Sequence, residues 1–187
     1  MKRSNALQTL IFLALFLALP GWADNKPTVT IHRQMAGELD ETGWALAKST
    51  DGRFSVKTPG KFSDLSSVDN NSTSPIAEVH TIAASNVQGI KFTATRIKFK
   101  GGREVAVKQF NRLKVSSGKL KYKSLKPMKL NEYEAMEGEL ENDRLALVQR
   151  TVLLDDDLLT LIVEYPKAQD AVAKRLVPIF FSSVTFD

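Results

Sequence analysis

The chain has 187 residues, of which 43% are hydrophobic and 25% charged, with ten glycines, seven prolines and a net charge of +5. That composition suits a folded protein with one sizeable core and excludes disordered and collagen-like classes. The lack of any cysteine excludes disulfides, a thiol nucleophile, thiolate metal sites and a lipobox anchor, and two histidines leave little for metal or acid–base clusters.

The N-terminus reads as a secretory signal. Lys2 and Arg3 precede the apolar run Leu10 to Leu19, Pro20 and Gly21 break it, and Gly21-Trp22-Ala23 places small residues before a cut between Ala23 and Asp24. The run is about half the ~20 residues of a membrane-spanning helix, so residues 1–23 are expected to be removed. No later stretch is apolar enough to span, and the destination is periplasmic or secreted. Charge is blocked along the chain. Arg96 to Lys129 holds twelve Lys or Arg against Glu104 alone, and Asn131 to Glu164 holds ten acids against Arg144 and Arg150.

Residues 24–43 read as an extended N-terminal arm that carries His32. Trp44 opens a hairpin in which WALAKST and RFSVKTP flank Asp51-Gly52, a two-residue turn signal. Ser63 to Ser74, rich in Ser, Asp and Asn, reads as a mobile loop, and its Asn70-Asn71-Ser72-Thr73 sequons as loop composition. Glu78 to Ala84 and Ile90 to Phe99 form a second hairpin around residues 86–89. The apolar period slips between Ala94 and Ile97, which implies a β-bulge. Gly101-Gly102 ends that strand, and a helix is expected over 103–117, with Ala106, Val107, Phe110 and Leu113 on one face and Gly118 as its cap.

KLKYKSLK (119–126) alternates Lys with Leu or Tyr, and EYEAMEGELE (132–141) supplies glutamates that suit antiparallel pairing with it. Strands over 145–154 and 158–165 carry apolar residues on both faces and need cover on both. Asp155-Asp156-Asp157 between them reads as a hairpin tip, since a calcium loop spaces its oxygens at alternate positions. A helix is expected near 167–177, with Pro178 stopping or kinking it. The fold class that results is α+β: an α/β/α sandwich with a central antiparallel sheet and helices on both faces, as a single domain over 44–187.

Trp44, Asp51-Gly52-Arg53-Phe54-Ser55-Val56, Pro59-Gly60 and the closing Phe180-Phe181-Ser182-Ser183-Val184-Thr185-Phe186 together resemble small exported bacterial domains of the PsbP/Mog1-like fold. The resemblance implies the same sandwich, with Phe54, Val56 and Phe181 as core residues, and an accessory or partner-binding role. It carries over no site residue, and fold does not fix function.

The chemistry-bearing residues are sparse. His80 within Glu78-Val79-His80-Thr81 is the one centre around which a serine or carboxylate hydrolase could be built, but no G-x-S-x-G, S-x-x-K or H-E-x-x-H motif accompanies it. Lys98, Lys100, Lys119, Lys121 and Lys123, interleaved with Phe99 and Tyr122, form either a basic face for anions or one side of a paired charge ladder, and pairing is the favoured reading. No catalytic residue, cofactor or metal is assigned. The expected function is that of a non-catalytic exported accessory protein, monomeric, binding an envelope protein or an anionic surface polymer, with no specific nucleic acid. The alternative is a hydrolase centred on His80.

Overall fold

A computed structural model describes residues 27–113 and 121–186. Ala23, Asp24, Gly118 and Lys119 lie outside the described residues; for Lys121 only the backbone is described. In chain order the elements are β1 (Thr28–Ala36), β2 (Ala45–Lys48), β3 (Phe54–Thr58), β4 (Lys61–Val68), β5 (Ile76–Ser85), β6 (Lys91–Phe99), α1 (Gly102–Arg112), β7 (Lys121–Leu130), β8 (Tyr133–Glu141), β9 (Leu145–Leu153), β10 (Asp157–Pro166), a 3-10 turn (Lys167–Gln169), α2 (Asp170–Ser182) and β11 (Thr185–Phe186). Eight strands pair in the order β1-β4-β5-β6-β10-β9-β8-β7, and a three-stranded sheet has the order β11-β3-β2. Among the described residues every strand pairing is antiparallel. The architecture is therefore α+β, dominated by antiparallel sheet, with two helices among the described residues.

The core forms two clusters. One joins Trp44, Phe54 and Val56 with Phe92, Ala94, Leu159, Leu161 and the α2 residues Ala173, Phe180 and Phe181. The other joins Val79, Ile97, Phe99, Leu153 and Leu158 with the α1 residues Ala106 and Phe110. Neighbours in sequence divide between them: Val152 and Leu159 belong to the first, Leu153 and Leu158 to the second. Successive strand residues point to opposite faces, which is why these strands are apolar throughout.

Four sequence expectations are corrected. No bulge separates Ala94 from Ile97: β6 pairs without interruption along this stretch with β10 and with β5. The slip in period instead marks the point where its apolar side chains change clusters, Phe92 and Ala94 going to one and Ile97 and Phe99 to the other. Ser63 to Ser74 is not one loop, since Lys61–Val68 is a strand between β1 and β5. Its polar composition hides a buried face, on which Asp64 is fully buried with its carboxylate satisfied by hydrogen bonds.

In the arm, β1 pairs with β4 through a register shift between Ile31 and Arg33, so His32 sits in a bulge of a strand of the large sheet rather than in an arm that extends from it. Lastly, α2 runs through Pro178 to Ser182. The buried Phe180 and Phe181 hold its last turn in the core, which outweighs the backbone bond that proline cannot make.

The Trp44 hairpin forms as β2 and β3, but five residues connect the strands, and the left-handed backbone falls on Arg53 (φ 51°) rather than on Gly52. Gly52 is needed for a different reason. A Cβ there would lie 2.5 Å from Ser49 Oγ, 2.7 Å from the Phe54 ring and 2.8 Å from His80 Cβ. The loop is thereby pressed onto β5 at His80.

Candidate functional site

Where the 49–53 loop meets the large sheet, polar side chains that are scattered in sequence converge. Register places Thr30, Ser66, His80, Arg96 and Leu159 in one row across β1, β4, β5, β6 and β10. The bulged His32 sends Nε2 to within 2.8 Å of Ser66 Oγ and 3.5 Å of Asp51 Oδ2. His80 Nε2 lies 3.3 Å from Glu78 Oε2, with its side chain 12% exposed. Arg96 Nε donates to Asp157 Oδ2 at 2.7 Å, and its Nη1 donates to the Gly52 and Arg53 carbonyls. Beside them Asp64 accepts from the Thr50 amide (2.9 Å), Thr50 Oγ1 (2.6 Å), Arg33 Nη2 (3.1 Å) and Ser49 Oγ (3.5 Å).

Chemically, Ser66, His32 and Asp51 are the residue types of an acyl-transfer triad, but their arrangement differs. In a working triad the carboxylate holds Nδ1, which leaves Nε2 free to take the serine proton. Here Ser66 and Asp51 approach the same nitrogen, so the contact with Asp51 competes with proton abstraction from Ser66. The carboxylate near His80, Glu78, likewise addresses Nε2. The surroundings serve to fasten elements together: Asp64 ties β4 to the 49–53 loop and to β1, and Arg96 ties β6 to the same loop and to β10. Sequence reading singled out His80 and missed Ser66, Asp51, Asp64, Arg33 and Arg96. No motif marks them; strand register alone makes them neighbours.

Of the five lysines, the described Lys98, Lys100 and Lys123 are not brought together. Lys98 and Lys100 lie at the end of β6, and Lys123 lies on β7, four strands away in the sheet order and toward the opposite strand ends. At ~4.8 Å per strand, that separates them by about 20 Å or more. Locally each has a partner: Lys98 approaches Glu78 at 3.9 Å, Lys100 Nζ donates to the Asn71 carbonyl, and Lys123 approaches Glu139 at 3.9 Å. In the β7–β8 ladder, Lys121 stands opposite Glu141, Lys126 opposite Glu137 and Lys129 opposite Glu134, with a register shift at Lys123.

In the acidic run, Asp155 and Asp156 are exposed, and Asp157 opens β10 against Arg96. Among the described residues no group of three or more His, Asp or Glu is placed to hold a metal ion. A crevice beside Tyr122, Met136 and Gln149 has a cavity volume of about 10 Å³, room for about one water molecule and not for a small-molecule ligand. No helix among the described residues is long and apolar enough to cross a membrane.

No family model and no curated protein matches the sequence. Among solved structures, the chain is similar to the solution structure of cyanobacterial PsbP (CyanoP) from Synechocystis sp. PCC 6803. The TM-score is 0.49 at 9% identity, over 81% of this chain and 96% of that one. It is also similar to LpqN, involved in cell envelope biogenesis of Mycobacterium tuberculosis, at a TM-score of 0.41 and 13% identity, over 87% of this chain and 92% of that one. Neither likeness bears on what this chain binds.

Proposed function

We propose that the chain is a non-catalytic exported accessory protein that binds a partner macromolecule at the cell envelope, in the periplasm or after secretion. In this reading residues 1–23 are a signal peptide cut between Ala23 and Asp24. Residues 24–43 are an arm that lends β1 to the sheet, and 44–187 form a single domain with α1 and α2 on opposite faces. The observation that carries the non-catalytic reading is the use made of the reactive groups. His32 spends Nε2 on Ser66 of β4 and Asp51 of the 49–53 loop, His80 spends Nε2 on Glu78 of its own strand, and the buried carboxylate Asp64 is committed to four donors. His32 and Asp64, so engaged, hold the sheet and the 49–53 loop in register.

One observation favours the hydrolase alternative: the 2.8 Å approach of Ser66 Oγ to His32 Nε2 with Asp51 nearby. The test is an esterase, phosphatase and glycosidase panel on the purified protein, with Ser66→Ala and His80→Ala alongside. A blank panel is expected, with the substitutions changing stability only. Turnover that disappears in either variant while the fold persists would overturn the proposal. Sequencing the N-terminus of the exported protein tests the cut, with Asp24 expected first.

A further inference from the structure

The two edges of the eight-stranded sheet are built differently. The β7 edge carries lysine at 121, 123, 126 and 129, a proline at 127 and a register shift at Lys123. These are the devices by which proteins keep an edge from pairing with another strand. The β1 edge has no charge from Thr28 to Ile31, and Val29 and Ile31, on one face, are 38% and 52% exposed.

The direction of the free backbone groups is set by the ladder. The Asp69 amide donates to the Ala77 carbonyl, and the Asn86 amide to the Ile90 carbonyl. Hydrogen-bonded and non-hydrogen-bonded pairs alternate in an antiparallel ladder. Ser67 and Leu65 therefore bond toward β5, and Val68 and Ser66 toward β1. Thr28 and Thr30, opposite Val68 and Ser66, bond inward to β4. The N–H and C=O groups of Val29 and Ile31 point outward from the sheet, and among the described residues no strand pairs with that side of β1.

We propose that this edge is a self-association site, at which a second copy of the chain adds its own β1 antiparallel about a two-fold axis through Thr30. In that register Val29 faces Ile31 of the second copy and Ile31 faces Val29. Four main-chain hydrogen bonds form, and four exposed apolar side chains cover one another on one face. A two-fold interface must be self-complementary, and this stretch is. On the C-terminal side, His32 and Arg33 fall outside the paired centre, with His32 opposite an uncharged threonine and Arg33 opposite Pro27, so no like charges stand directly opposite one another. Two β7 edges set together would instead oppose lysines. The site goes beyond the accessory role proposed above and departs from the monomer expected from sequence; either reading can fail without the other.

Sedimentation of the purified protein over a concentration series tests it, together with Val29→Pro and Ile31→Lys. The proline removes only an outward N–H, so the inner ladder stays intact. The native chain should shift from monomer to dimer as concentration rises. Each variant should weaken that association about tenfold or more while leaving the melting temperature nearly unchanged. Amide exchange at Val29 and Ile31 should slow with concentration, and exchange at Thr28 and Thr30 should not. A native chain that stays monomeric at its highest attainable concentration overturns the proposal. So does a dimer that persists in both variants, or one whose formation leaves exchange at Val29 and Ile31 unchanged. The exchange measurement uses the native chain and decides the matter even if a variant fails to fold.

Discussion

Asp64 has no exposed surface and accepts from Thr50, Ser49 and Arg33, so its carboxylate holds the 49–53 loop, β4 and β1 in one arrangement. Asp64→Ala leaves those donors without their acceptor. An unmade bond to a buried donor costs about 1–3 kcal/mol, so denaturant unfolding should show a loss of roughly 2–3 kcal/mol. Asp64→Asn, which keeps an acceptor oxygen, should lose less. Tyr165 provides a pH test. Burial, reinforced by the nearby Asp170 charge, pushes its hydroxyl up to about 12 from an ordinary value of 10.0. The folded state then holds the proton over a range in which the unfolded chain releases it. Stability should therefore be intact below pH 10 and fall between about pH 10 and 12, where Tyr165→Phe should show a flatter dependence in thermal melts.

At the scale of elements, α2 and the β7–β8 ladder show two kinds of compromise. Pro178 lies inside α2 on its exposed side, and its missing N–H leaves the Lys174 carbonyl without a helical donor. The helix persists because Phe180 and Phe181, each 1% exposed, anchor its final turn. Pro178→Ala should restore the bond and raise stability by about 1–3 kcal/mol in chemical denaturation, less the small entropy that proline removes from the unfolded chain. In the ladder, the register of lysines against glutamates means that charge reversal sets like charges opposite one another. Lys121→Glu with Lys123→Glu should lower stability by roughly 0.2–1 kcal/mol per pair. Heparin retention at physiological salt should be weak before and after the change, because the potential of the basic strand is already cancelled locally. Strong retention that disappears with the substitutions, at unchanged stability, would restore the basic-face reading.

At the scale of the molecule, one cluster links the small sheet, the large sheet and α2 through aromatic contacts. Trp44 meets Phe92 edge-on at 5.6 Å, and Phe92 meets Phe180 at 5.4 Å. Arg150 joins this layer from the polar side, with its guanidinium 4.7 Å from the Phe181 ring centre and paired with Glu137. Trp44 is 4% exposed, so its emission, measured in protein made without residues 1–23 and hence without Trp22, should be blue-shifted. It should move red in one transition coincident with the loss of circular dichroism, as a chain with continuous packing unfolds cooperatively. A separate early red shift would mean that the β2–β3 sheet detaches before the large sheet opens.

Much of this molecule was legible in its sequence because the relevant signals are local. The two hairpins are encoded within a few residues of where they act. So is the strand that is apolar on both sides, since period and turn chemistry depend on near neighbours. Lysine–glutamate pairing across β7 and β8 was also readable, because a short turn makes adjacent blocks face each other. Tertiary structure decided the rest. Ser63 to Val68 looks like loop because its buried face is closed by hydrogen bonds from Arg33, Ser49 and Thr50, and one strand's composition does not announce the donors of another. Ser66 reaches His32 and stands opposite His80 only once β1, β4 and β5 are in register, and a slip of one residue would send those side chains to the opposite face. The threonines at 81, 95, 160 and 151 share a row across four strands for the same reason. Local periodicity sets which residues are strand. Only the packed sheet sets which strand lies beside which, and at what offset, because that choice is made by contacts between residues far apart in the chain.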